Sequence, residues 1–199
     1  EAYRLHIPTQ VYFGRNIWRK ALDCIDGLIQ GNVLVVTTGR SLLHLGYLDE
    51  LEAQIKKNPL VKKLIRFEEV SANPKLSEAR KGILLGRQEK IDRIVGFGGG
   101  SALDMAKAIA VGIGTGKDIE ELFYSEKSLD TGSIPVIAMP TTAGTGSELS
   151  KAAILSDEVR KVKSGLRGKA LCPALAIVDS VFTESVPIKT TMETGFDVL

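Results

Sequence analysis

Ile91-Asp92-Arg93-Ile94-Val95-Gly96-Phe97-Gly98-Gly99-Gly100-Ser101-Ala102-Leu103-Asp104 is the stretch on which the fold turns. A short apolar run passes straight into three glycines and then into a helical face at Leu103, Ala106 and Ala110. It reads as a strand, a sharp turn and a helix. Three glycines let the backbone approach a bulky anion closely. The helix start behind them offers free N–H groups and the positive end of a dipole, which suits a phosphate. A tight strand–helix turn with no ligand fits the same residues. Ser101 is placed to cap the helix, with Asp104 three positions on, as in a capping box. The stretch is not the usual dinucleotide fingerprint, because Ser101 stands where the third Gly of G-x-G-x-x-G belongs. Nor is Gly114-Thr115-Gly116-Lys117-Asp118 a Walker A loop, since Val111 and Asp118 occupy positions that need Gly and Ser or Thr.

The pattern repeats on both sides. Tyr3 to Gly14 reads as short extended pieces, and a helical stripe comes next at Ile17, Ala21, Cys24 and Leu28, with Cys24 expected in the core. Asn32 to Gly39 is a β-branched run of the kind buried on both faces of a sheet. A helix then points Leu48, Leu51 and Ile55 inward and Lys56 and Lys57 outward. Val61 to Val70 holds another strand, Ser71-Ala72-Asn73-Pro74 breaks the chain, and Leu76, Ala79 and Ile83 mark a third helix. Gly112 to Asp130 reads as loop with one short helix, and Ile134 to Met139 as a fourth strand. Ala152 to Ser156 and Leu175 to Val178 are shorter strand candidates with a basic turn between them, and Pro187 opens a last segment. Strands alternating with helices argue for an α/β domain, a Rossmann-like and mostly parallel sheet flanked by helices. No linker or internal boundary is visible.

The chain of 199 residues is long enough for one good core and short for two. Hydrophobic residues are 44% and charged residues 25%, which argues against disorder and low complexity. A net charge of +2 does not suggest nucleic acid or an anionic membrane surface as partner. Arg160 to Lys169 is basic but carries no aromatic on which a base would stack. Two cysteines cannot make a disulfide framework and fit a reducing cytoplasm. There is no apolar run of membrane-spanning length and no signal peptide. The start without Met fits processing or a piece of something longer.

Two further loops come after strands. Pro140-Thr141-Thr142-Ala143-Gly144-Thr145-Gly146-Ser147-Glu148 offers small hydroxyl donors that would wrap a ribose, phosphate or nicotinamide; a Ser/Thr turn that caps the next segment is its plain alternative. Thr37-Thr38-Gly39-Arg40-Ser41 has an Arg and no acid, so it favours a 2′-phosphate over a free 2′-hydroxyl; Arg40 reads equally well as a solvent-facing helix-start residue.

In this order the three loops resemble the iron-containing (group III) alcohol dehydrogenases, whose fold is dehydroquinate-synthase-like. Gly98 to Lys107 and Pro140 to Glu148 carry the match; Pro173 to Asp179 and Thr194 to Leu199 extend it. The resemblance spans essentially the whole chain but only the amino-terminal half of the family's length. It implies that residues 1–199 form a dinucleotide-binding α/β domain whose last ~10 residues begin a helical metal-binding domain. It implies cofactor contacts from Gly98, from Gly99, Gly100 and Ser101 at the pyrophosphate, and from Thr141, Thr142 and Thr145 at the phosphates and nicotinamide half. Asn73 would lie near the adenosine, Asp104 toward the nicotinamide, Lys163 against the ribose and Phe182 near the cofactor, where the family commonly has Leu. Ala152 stands where many members carry a polar residue. Asp104 and Lys163 are the candidates for catalytic roles. Gly39, Arg40 and Ser41 replace the Asp with which NAD-preferring members exclude a 2′-phosphate, which favours NADP, with NAD as the alternative.

The resemblance also implies a divalent metal, Fe²⁺ or Zn²⁺, held by one Asp and three His, with Asp197 as the Asp. His6 and His44 lie far upstream and are expected to be an edge-strand side chain and a helix-face residue. The implied activity is hydride transfer between NAD(P)H and a small alcohol or aldehyde, the metal acting as Lewis acid. The alternatives are a non-catalytic dinucleotide-binding module, a half-enzyme completed by another chain, and a lyase of the dehydroquinate synthase type. A homo-oligomer, or completion by the missing helical domain, is expected.

Overall fold

The structure, a computed structural model, describes residues 6–25, 27–38 and 44–198. Eight strands and six helices of α type run along them: β1 Gln10–Gly14, α1 Trp18–Asp23, β2 Gly31–Val36, α2 Tyr47–Lys56, β3 Val61–Phe67, α3 Leu76–Gln88, β4 Arg93–Gly98, α4 Gly100–Thr115, α5 Ile119–Phe123, β5 Val136–Pro140, β6 Ala152–Asp157, β7 Val162–Arg167, β8 Leu175–Asp179 and α6 Ile188–Phe196. Six strands form one sheet in the order β1-β8-β5-β4-β2-β3, and every pairing in it is parallel. The Rossmann-like fold expected from the alternating pattern is therefore present.

Strand periodicity splits the core into two layers. On β2, Leu34 and Val36 face one cluster with Ile83, Ala106 and Ile109 from α3 and α4. Val33 and Val35 face the opposite cluster, with Trp18, Leu22, Leu48 and Ile55 from α1 and α2. A strand covered on both faces has no polar side, which explains its unbroken apolar run. Helix α4 is apolar nearly all round, with Ala102 to Gly112 buried apart from Asp104, because it packs on β4 and is overlaid by α3 and β6.

The order places a switch point between β2 and β4. From β2 the chain moves outward to β3, then crosses back to β4 on the other side and continues to β5 and β8. The loops leaving β2 and β4 therefore diverge, opening a crevice at the strands' carboxyl ends.

Four local expectations change. The first helix ends at Asp23, so Cys24 is its exposed C-cap and not a core thiol. Helix α4 extends to Thr115, into the segment read as loop. The basic segment after Val162 is a strand, β7, paired antiparallel with β6 from Ala152↔Arg167 to Asp157↔Val162. Its apolar content is too low for a sheet interior, but a two-stranded hairpin at the surface tolerates it. Ser101 does not cap α4: Gly99 holds the N-cap position, and Ser101 Oγ donates to Ala72 O at 2.6 Å.

Candidate functional site

A cleft of about 900 Å³ opens at the switch point. Thr38 lies on it after β2, Ala72, Asn73 and Pro74 after β3, Gly99, Gly100 and Ser101 after β4, and Thr141, Thr142, Thr145 and Ser147 after β5. Lys163 reaches it from the hairpin, and Asp104 from the second turn of α4. Thr190, Glu193, Thr194 and Asp197 close one side from α6.

The glycine turn meets the cleft with backbone at Gly99 and Gly100, while Gly98, expected among the cofactor contacts, is not part of the lining. Gly98 ends β4 at φ +153°, a region that side chains rarely adopt, and a Cβ there would lie 2.8 Å from the Ala102 methyl. Thr141 N donates to Gly98 O at 3.0 Å, so the hydroxyl loop starts directly beside the glycine turn. A Cβ on Gly100 would stand 2.6 Å from Thr145 Oγ1, and one on Gly99 3.3 Å from Thr142 Oγ1. The two loops are thus already in contact, with no room for a side chain between them. Ala102 N and Leu103 N donate to Gly99 O at 3.0 and 3.2 Å, whereas the amides of Gly100 and Ser101 have no carbonyl of their own helix to donate to, and the helix dipole adds positive potential there. A diphosphate fits this cradle of small hydroxyls and helix amides.

Lys163 and Asn73, ninety residues apart in the chain, meet here: Lys163 Nζ donates to Asn73 Oδ1 at 3.1 Å. Asp104 is fully engaged. Its Oδ1 accepts from Ser147 Oγ at 2.5 Å and lies 3.1 Å from Lys107 Nζ, and its Oδ2 accepts from Ile154 N at 2.9 Å. Phe182 is absent from the cleft lining. It is 2% exposed, and its ring packs against Trp18, Tyr47 and Phe97 with centroids 5.8, 5.2 and 5.0 Å away. Gly39, Arg40 and Ser41 lie outside the described residues. Sequence reasoning passed over Lys107 and Ser147 as side chains, though both stand inside the quoted motifs. The one signal for Lys107 is a charge in the otherwise apolar run Met105 to Val111.

The hairpin is anchored at its far end too. Ser156 N donates to Pro74 O at 2.8 Å. Asp157 accepts from Tyr124 Oη at 2.7 Å and from the amides of Val159 and Arg160 at 2.8 and 3.0 Å. The Tyr124 hydrogen bond, followed by the Arg160 amide, holds this carboxyl at about 2, below its ordinary 3.8. A depressed carboxylate contributes stability that is complete above its unfolded value and lost as pH falls through its folded one. The anchor is expected to hold above about pH 4 and to weaken between about pH 4 and 2. Acid unfolding of Asp157→Asn, compared with the unaltered chain, checks this; an identical pH profile for the two would refute it.

Asp197 lies on the cleft, but among the described residues no group of three or more His, Cys, Asp and Glu is gathered to hold a metal ion. His6 and His44 are both exposed. One carboxylate does not hold a catalytic metal, which takes three or four protein ligands. The described residues therefore do not, by themselves, make a metal site. No described helix is long and apolar enough to cross a membrane.

A family model for iron-containing alcohol dehydrogenase matches residues 8–180. The chain belongs to the iron-containing alcohol dehydrogenase family. NADH-dependent butanol dehydrogenase A of Clostridium acetobutylicum is 29% identical over 196 residues, covering 97% of this chain and 49% of that protein. NADPH-dependent butanol dehydrogenase of Clostridium saccharobutylicum is 30% identical over 200 residues, covering 98% and 50%. Among solved structures, sulfoacetaldehyde reductase from Bifidobacterium kashiwanohense in complex with NAD⁺ superposes with a TM-score of 0.86 at 29% identity, covering 99% of this chain and 51% of that one. The chain spans about half the length of these relatives.

Proposed function

We propose that the chain binds a nicotinamide dinucleotide along the switch-point cleft, as the cofactor-holding part of an oxidoreductase acting on a small alcohol or aldehyde. The observation that carries this reading is the convergence of the glycine turn, the hydroxyl loop, Asn73 and Lys163 on one cleft at the carboxyl ends of β2, β4 and β5. The amides at the start of α4 hold the diphosphate; Thr141, Thr142 and Thr145 donate to it and orient the nicotinamide half. Ser101 offers its amide and its oxygen lone pairs, its hydroxyl proton being engaged by Ala72. Lys163 supplies a cation from the hairpin toward the ribose. The dinucleotide, when bound, supplies or accepts the hydride; the protein fixes its position and keeps the phosphates neutralised.

NADP is the preferred form, on Arg40 and the missing acid after β2, with NAD as the alternative; both NADH- and NADPH-dependent relatives occur. Asp197 is one ligand of a divalent metal, Fe²⁺ or Zn²⁺, whose other ligands these described residues do not provide. That shortage favours a second reading beside the first, a half-enzyme completed by another polypeptide. The exposed face of α6, with Ile188 80%, Met192 60% and Phe196 73% exposed, supports such completion. So does the edge strand β1, with Phe13 81% exposed, where a second copy would pack in a homo-oligomer. A cytoplasmic setting suits the two free thiols.

Titrating the chain with NADPH and with NADH, read by nicotinamide fluorescence, is expected to show saturable binding, tighter for NADPH. Lys163→Ala is expected to weaken either by about tenfold, as loss of one charge-assisted contact does. Binding of neither nucleotide would overturn the reading.

A further inference from the structure

Lys107 is a charged side chain that the proposed function does not use. It is 1% exposed and is not part of the cleft lining, yet it sits under it. Its ammonium has three donors and finds three acceptors: Asp104 Oδ1 at 3.1 Å, Ser147 O at 3.0 Å and Ala152 O. The ammonium is thus fully matched, whereas a neutral amine would offer one donor too few. Burial pulls the ammonium below the usual lysine range, and Asp104 counters that pull. Each of the groups it holds, Asp104, Ser147 and Ala152, does line the cleft. They belong to three separate pieces: the amino-terminal part of α4, the end of the hydroxyl loop and the root of the hairpin that carries Lys163. Asp104 repeats the same three-way link, accepting from Ser147 Oγ and from Ile154 N.

We infer that Lys107 is a positioning residue that, with Asp104, locks the glycine turn, the hydroxyl loop and the Lys163 hairpin into one nucleotide-binding geometry. It rests on the nucleotide reading for its purpose. In it Asp104 acts as the other half of the joint and not as a proton carrier, since both of its oxygens already take protein donors. A buried charge that loses its partner is strongly unfavourable, so removing either residue frees the pieces from one another.

Amide hydrogen exchange on the full chain tests the joint without any nucleotide. In Lys107→Met, residues 145–156 are expected to exchange at least about tenfold faster, with β2 and β3 unchanged. Unchanged exchange at 145–156, or a uniform rise across the chain, overturns the inference. If Lys107→Met does not fold, Asp104→Asn keeps the side-chain shape and is expected to show the same localised rise; its absence there is equally fatal. A second readout separates positioning from bulk stability. Lys107→Met should weaken NADH by at least about tenfold while adenosine, which carries no phosphate for the glycine turn, stays within about twofold. Equal loss of both overturns the inference. If the unaltered chain binds neither NADH nor NADPH, the proposed function fails while the exchange result still decides the joint.

Discussion

Gly100→Ala is expected to weaken dinucleotide binding by about 100-fold or more, about 2.7 kcal/mol at 25 °C. Two effects act together. The new methyl would stand 2.6 Å from Thr145 Oγ1, 2.8 Å from its Cγ2 and 3.1 Å from its Cβ, too close on every side for a rotamer change alone to relieve. The hydroxyl loop would have to move away from α4, taking Thr145 with it. The methyl also intrudes on the approach to the helix amides, where a phosphate must come within hydrogen-bond distance. The fold itself should survive, because Gly100 is the first residue of α4, where Ala is a good helix former. The measurement is NADPH and NADH affinity by fluorescence, beside the thermal midpoint. Near-normal affinity would show that the glycine turn is only a tight connection, the plain reading of the sequence.

Phe182→Ala is expected to do the opposite: to cost about 3–5 kcal/mol of stability while the folded fraction keeps its nucleotide affinity within about threefold. Phe182 is 2% exposed at the meeting point of Trp18, Tyr47 and Phe97, so truncation leaves a cavity lined by three aromatic rings. Urea unfolding followed by the chain's single tryptophan reads this directly, since Trp18 is one of the rings that lose their neighbour. The resemblance places Phe182 near the cofactor. A large loss of affinity with less than about 1 kcal/mol of stability change would favour that contact over the packing role.

Those two residues mark where the sequence was legible and where it was not. The glycine turn was readable because its meaning is local: a strand, three glycines and a helix start succeed one another in the chain, and their geometry is fixed by backbone sterics. The same holds for the hydroxyl loop and for the alternation of strands and helices. Phe182 was carried to the cofactor by a family position, and its packing partners lie far away in sequence. Arg40, on which the preference for NADP rests, lies outside the described residues, so that choice still stands on the sequence alone.

Segments with weak patterns went the other way. Arg160 to Lys169 reads as a basic turn because its five cations outweigh its two apolar residues; Val162 to Arg167 within it is a strand because β6 offers it a complete antiparallel ladder. Ser101 looked like a helix cap from its offset to Asp104, but the backbone of Ala72, 29 residues away, takes its hydroxyl. Asp104 in turn serves Ser147 and Ile154, 43 and 50 residues on.

The sequence by itself determined the α/β class, the loops that carry the site and the family to which they belong, because each of these is written in short contiguous stretches. Only the tertiary structure decided which of those residues share a cleft, that Lys163 meets Asn73, that Lys107 holds three loops from beneath, and that Phe182 belongs to the core. Those outcomes depend on which distant backbone and side-chain groups are left to satisfy a buried donor, acceptor or ring once the sheet has closed, and no local pattern records that.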